Sequence, residues 1–195
     1  MTAPAIKDSP EGSGPQYDGL RVTREEYLAL PEDGYLYDMI DGVLHVTPSP
    51  FFDHSRANGR FYRLLMDFVD AQDNPPGEAC QDVDVFLPDG NPDVLRPDVS
   101  FILAENAGII KGHIHGVPDL VCECLSRRTA TRDLGVKAER YLANGVREYW
   151  IIDPRDQSIQ VWYNRDNESW EKHSGERLES RLLPGFVIEV AGFWG

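Results

Sequence analysis

The sequence predicts an α/β fold in which a mixed central β-sheet is flanked by helices. Three observations carry this. Phe61, Leu64, Leu65, Phe68 and Val69 recur at helical spacing. Short apolar runs such as Leu120–Leu125 and Arg147–Ile152 are bounded by Pro, Gly and Asp turns, as strands are. Their order along the chain is helix, strands, helix, strand, which builds a layered α/β domain.

Residues 1–21 are rich in Pro, Gly, Ser and acids and are expected to form a flexible N-terminal arm, leaving 22–195 as one domain. Thr23 opens a short helix, with Glu26 completing a capping box. Pro31-Glu32-Asp33-Gly34 ends it. Tyr35–Ile40 and Val43–Thr47 then read as a hairpin around Asp41-Gly42. A helix follows from about His54 to Gln72, stopped by Asn74-Pro75-Pro76-Gly77. Strands are expected near Ala79–Leu87 and Pro97–Leu103, and the Gly108–Gly116 segment is expected to be a loop. The Leu120–Leu125 strand leads to a helix from about Thr131 to Ala143, closed by Asn144-Gly145. Arg147–Ile152 is a central strand, Ile159–Tyr163 with Trp170–His173 a peripheral C-terminal hairpin, and Leu182–Val190 a last strand.

The composition is that of a globular protein, 41% apolar and 27% charged. No apolar run approaches the ~20 residues that span a bilayer, and the N-terminus lacks a signal-peptide pattern, so no membrane association and a cytoplasmic location are expected. The three cysteines include no Cys-x-x-Cys pair, and Cys122 and Cys124 share one face of a strand, an awkward placement for a disulfide. Three buried thiols are expected.

A net charge of −14 opposes a polyanionic partner at long range. Screening confines that repulsion to roughly 8–10 Å, so local distribution decides more than the total. The distribution is uneven. Arg127, Arg128, Arg132, Lys137 and Arg140 stand against only Asp133 and Glu139 within residues 127–140. Arg127, Arg128 and Arg132 are therefore candidate substrate contacts.

The chemistry concentrates between Arg96 and Tyr141. Asp98 and Glu123 each lie in an apolar strand, where an unpaired charge costs several kcal/mol or more. In its strand, Glu123 faces away from Cys122 and Cys124, toward the following helix or a cleft. On that helix Asp133, Lys137 and Tyr141 are spaced by four and form one stripe. Blander readings exist: an exposed Asp133–Lys137 ion pair, a turn cap at Asp98, a core arginine for Glu123. Together they need three coincidences. Two acids with a lysine beside them read more economically as a divalent-metal site, since Mg²⁺ takes one or two carboxylates with water and phosphate. Phosphodiester hydrolysis is the leading reading. His54, at the start of the long helix, is either a helix cap or a substrate contact. His113 and His115 read as a polar loop pair, and Ser126 as a turn cap.

These segments also resemble a known family. Arg96-Pro97-Asp98, Glu123-Cys124-Leu125-Ser126, Arg132–Lys137 and Gly145–Pro154 are similar to the bacterial putative restriction endonuclease family of the PD-(D/E)XK superfamily. Glu26-Tyr27-Leu28, Pro31–Gly34, Ile40-Asp41-Gly42 and Leu183-Pro184-Gly185 extend the resemblance to roughly residues 22–190. It implies a restriction-endonuclease-like core, a DNA substrate, Mg²⁺ or Mn²⁺ as cofactor, and a homodimer. By position, Asp98 and Glu123 are the implied metal ligands. Leu125 stands where a lysine is usual, and the implied lysine moves to the next helix as Lys137. The hairpin acid, usually glutamate, is Asp38 here, one methylene shorter. The competing readings are a non-catalytic interaction module that keeps the fold, and hydrolysis of RNA or another phosphodiester.

Overall fold

A computed structural model describes residues 14–88 and 90–195. Of the expected arm, residues 1–13 lie outside the described residues. The remainder is tied down: Tyr17 is buried, and Arg21 bridges Val43.

Helix α1 (Arg24–Leu28) starts at the expected capping box, with Thr23 and Glu26 bonded reciprocally. Strands β1 (Leu36–Ile40) and β2 (Val43–Thr47) form the hairpin. Asp41 and Gly42 both take positive φ, 51° and 72°, which matches the turn to the strand twist. Helix α2 (Phe52–Asp70) buries Phe61, Leu65 and Val69 of the expected stripe together with Ala57, while Leu64 and Phe68 are half-buried against the same core.

The expected strand over Ala79–Leu87 is two strands. β3 (Gly77–Gln81) and β4 (Val85–Phe86) belong to different sheets, and the chain turns between them at Asp82, with φ 54°. An aspartate tolerates that left-handed backbone better than most residues. β5 (Val94–Leu95) and β6 (Val99–Leu103) follow. The expected loop over Gly108–Gly116 contains a small hairpin, β7 (Ile110–Lys111) and β8 (His113–His115), turning at Gly112. Strands this short carry no readable alternation. Both histidines lie against Phe86, His115 stacked at 4.9 Å.

After β9 (Leu120–Cys124) the expected helix is broken into α3 (Ala130–Arg132), a kinked segment over Asp133–Lys137 where Gly135 leaves helical geometry, and α4 (Ala138–Asn144). Gly145 closes it in the left-handed conformation, as a C-terminal glycine does. β10 (Glu148–Asp153), β11 (Ser158–Arg165) and β12 (Ser169–Ser174) complete the larger sheet. The last strand is shorter than expected. Pro184-Gly185 turns within it, leaving β14 (Val187–Glu189) paired to β13 (Arg177–Glu179), before a terminal helix α5 (Val190–Trp194) that the sequence reading missed.

Two six-stranded sheets result, ordered β2-β1-β5-β4-β8-β7 and β12-β11-β10-β9-β6-β3. In the second, β9 and β10 run parallel through the α3–α4 crossover and every other pair is antiparallel, so the sheet is mixed. Its two faces carry separate cores. Cys122, Cys124, Trp150 and Ile152 pack with Phe61 and Leu65 of α2. Val121, Leu125, Tyr149 and Ile151 pack with Ala138 and Tyr141 of α4. The cysteines are free thiols, with Cys122 and Cys124 buried and Cys80 half-buried.

Candidate active site

Glu123 stands on the α4 side of β9, where its neighbours along the strand are apolar. Pairing of Val99 with Cys122 places Asp98, one residue before β6, across the ladder from Glu123. Its Oδ2 accepts the backbone N–H of Cys124 at 2.6 Å and lies 3.3 Å from His54 Nε2. The kinked segment after α3 carries Lys137 over the strand, with Nζ 2.5 Å from Glu123 Oε1 and donating to the carbonyl of Arg96 at 3.2 Å. Tyr141 donates its hydroxyl to the same Glu123 oxygen at 2.9 Å.

Asp38 enters from the other sheet. It accepts the Arg96 N–H at 2.8 Å, and lies 3.8 Å from Lys137 Nζ and 3.6 Å from Arg132 Nη1. Lys137 is thus ringed by three carboxylates, those of Asp38, Glu123 and Asp133, the last at 3.7 Å. Its side chain is only 3% exposed. Burial alone would pull the amine down, but these three charges outweigh it and hold Lys137 protonated, above its usual range. Burial also pushes the Asp133 carboxyl up, against the pull of Lys137. The Asp133–Lys137 pair is therefore buried, not a solvent-exposed bridge.

Asp38, His54, Arg96, Asp98, Glu123, Arg132, Asp133 and Lys137 all line one pocket of about 390 Å³, with Tyr141 behind its wall. His54, in the first turn of α2, does not cap that helix; Phe51 occupies the cap position. Burial pulls the His54 imidazole down, but the hydrogen bond and charge of Asp98, helped by Asp133 and Asp82, leave its pKa raised. Arg128 and Arg132 line the pocket, and Arg127, the third arginine expected to contact substrate, is not among its lining residues. The reason is local. Ser126 Oγ accepts the N–H groups of Arg128 and Thr129, so the chain turns tightly here and adjacent side chains diverge. Arg140, also in the basic stretch, is committed elsewhere, to Asp93 and Asp41 at 2.6 Å each.

Sequence reasoning gave Tyr141 no role beyond its stripe and missed Arg96, Thr47 and Asn58, all but Tyr141 in the pocket wall. Asn58 had a signal: a polar residue on the stripe that continues through Phe61 and Leu65. Thr47 Oγ1, His54 Nδ1 and Asn58 Oδ1 are buried without a hydrogen-bond partner. Buried polar atoms are nearly always satisfied, so this wall is shaped for water or a polar ligand.

The donor set suits a small hard cation. Among the described residues no three His, Cys, Asp or Glu side chains converge as a ligand cage. Asp98 Oδ1 and Glu123 Oε2 have no hydrogen bond there, while the other oxygen of each is taken. Two carboxylates with open positions is the Mg²⁺ or Mn²⁺ pattern, in which water and phosphate complete the shell.

Residues 24–191 match the model of the Uma2 family, described as "Putative restriction endonuclease". The chain belongs to that family. Among solved structures it is similar to a protein from Anabaena variabilis ATCC 29413 described as a putative nuclease belonging to DUF820. The TM-score is 0.71 at 20% identity, over 89% of this chain and 97% of that one. That likeness establishes the shared fold, a restriction-endonuclease-like α/β architecture. Comparison with curated proteins finds no match. No helix among the described residues is long and apolar enough to cross a membrane.

Proposed function

We propose that this member of the Uma2 family is a metal-dependent endonuclease that hydrolyses phosphodiester bonds in DNA. The observation that carries the reading is the convergence of Asp98, Glu123 and Lys137, from two strands and a helix turn, on one pocket with Asp38 beside them. Asp98 and Glu123 would hold Mg²⁺ or Mn²⁺, which supplies Lewis acidity to activate water and offset phosphate charge. The protein's own part is positioning. Lys137, held charged, presents a fixed ammonium beside Glu123, able to stabilise charge gathering on a phosphate or orient a water. The Cys124 N–H and His54 orient Asp98, and the Tyr141 hydroxyl orients Glu123. Arg128 and Arg132 supply cationic contacts for phosphate at the pocket wall.

The surplus of acids around one lysine supports a cation here, because carboxylates this close repel one another unless neutralised. The test is direct. Purified protein with Mg²⁺ or Mn²⁺ is expected to cleave plasmid or single-stranded DNA, and Asp98→Ala and Lys137→Ala are expected to lose at least a hundredfold in rate. Intact DNA with every metal, or wild-type rates in both variants, would overturn the reading.

A further inference from the structure

The pocket mouth carries a feature that metal chemistry does not use. Phe51 is 65% exposed and Tyr35 44% exposed, and both line the pocket. Leu36, 48% exposed, continues the same lip. None of the three belongs to any hydrophobic core cluster. Phe51 sits at the N-cap of α2, directly after Pro48-Ser49-Pro50, so two prolines restrict the backbone that presents its ring. Such side chains cost solubility unless something covers them.

Depth and charge narrow what that is. Glu123 and Lys137 are almost fully buried at the pocket floor, and the cavity of about 390 Å³ has room for about one nucleotide. In a duplex the base faces are stacked on one another and reaching them costs a few kcal/mol of unstacking, whereas an unpaired strand presents them freely. A duplex also sets one charge every ~1.7 Å against a protein of net charge −14, whereas an unpaired strand can thread a phosphate between Arg128 and Arg132 and bend away. Every base has a π-face, and exposed aromatic rings beside cationic side chains are how proteins hold single strands.

We infer that Phe51 and Tyr35 form a stacking lip for unpaired bases, and that the substrate is single-stranded DNA, or unpaired segments of it, in preference to duplex. The inference rests on reading the pocket as a phosphodiester site, but its test does not depend on cleavage. Fluorescence anisotropy in EDTA with labelled single-stranded and blunt duplex oligonucleotides of equal length measures binding alone. The single strand is expected to bind at least tenfold more tightly. Phe51→Ala, a surface change that spares the fold, is expected to weaken single-strand binding about tenfold and leave duplex binding unchanged, and Phe51→Trp to restore it.

Equal affinity for duplex, unchanged single-strand affinity in Phe51→Ala, or a preference for RNA over DNA would overturn the inference. So would a dimer in solution that Phe51→Ala dissociates, since a second copy would then be what covers the lip. If single-strand binding depends on Phe51 but no metal yields cleavage, the nuclease reading alone fails. If Asp98-dependent cleavage of duplex proceeds without regard to Phe51, the stacking lip alone fails.

Discussion

Asp98 accepts the backbone N–H of Cys124 at 2.6 Å, a residue on the partner strand adjacent to Glu123. One acid of the pair is therefore braced against the strand that carries the other. Their separation is set by the sheet ladder and not by two independently floating side chains. One oxygen of Asp98 is spent on this brace, leaving the second for a ligand.

Cation binding is expected to stabilise the fold through these two acids. A ligand that binds only the native state adds about 2.7 kcal/mol at a hundred times its Kd. Thermal melts should show a saturable rise in Tm with Mn²⁺ for the wild type. The rise should be absent in Asp98→Asn, a near-isosteric change. An equal rise in the variant would place the ion elsewhere.

Lys137→Met is expected to destabilise the protein by about 3–5 kcal/mol in denaturant titrations, because it leaves buried carboxylates without their counter-charge. Adding Glu123→Gln to that variant should recover part of the loss. A double variant no more stable than Lys137→Met would mean that Glu123 is not the group Lys137 neutralises.

Arg128 and Arg127 are sequence neighbours with different positions relative to the pocket. Arg128→Ala should weaken DNA binding and lower the salt dependence of log K by roughly one ion, while Arg127→Ala should leave both near wild type. Binding isotherms at several salt concentrations decide this. Equal losses in the two variants would return Arg127 to the site.

Asp153 is held below the usual carboxylate range, first by the Arg155 side chain and also by the Arg155 N–H. Its contribution to stability is present above the unfolded value of about 3.9 and is lost as pH falls through the lower folded value. Asp153→Asn should therefore be less stable than wild type near neutrality, with the gap closing as pH falls below the usual carboxylate range. A gap that persists into strong acid would show that the ion pair is not its source.

Much of the architecture was legible because the local signals were strong. The Asp41-Gly42 turn, the Thr23–Glu26 capping box, the Phe61–Val69 stripe and Gly145 all did what their chemistry dictates. Alternation in β9 correctly put Glu123 and the two cysteines on opposite faces. What stayed hidden was tertiary. The passage from β3 to β4 at Asp82 looks like one continuous strand until the two halves find different sheets. The kink at Gly135 within Asp133–Lys137 has no periodic signature, yet it sits where the lysine meets Glu123. Thr47 and Asn58 enter the pocket only because α2 and β2 converge there, which no spacing within either segment announces.

The alternation in β9 also bears on how the chain finds its pairing. Sliding that strand by one position against its neighbours would drive a carboxylate into the Phe61–Trp150 interior and turn two thiols toward the acids of the pocket. A slip of this kind costs several kcal/mol, more than a typical domain can spare. The acid thus acts as a register lock during folding. Replacing it with an apolar residue should remove the penalty on misaligned forms as well as the cation site.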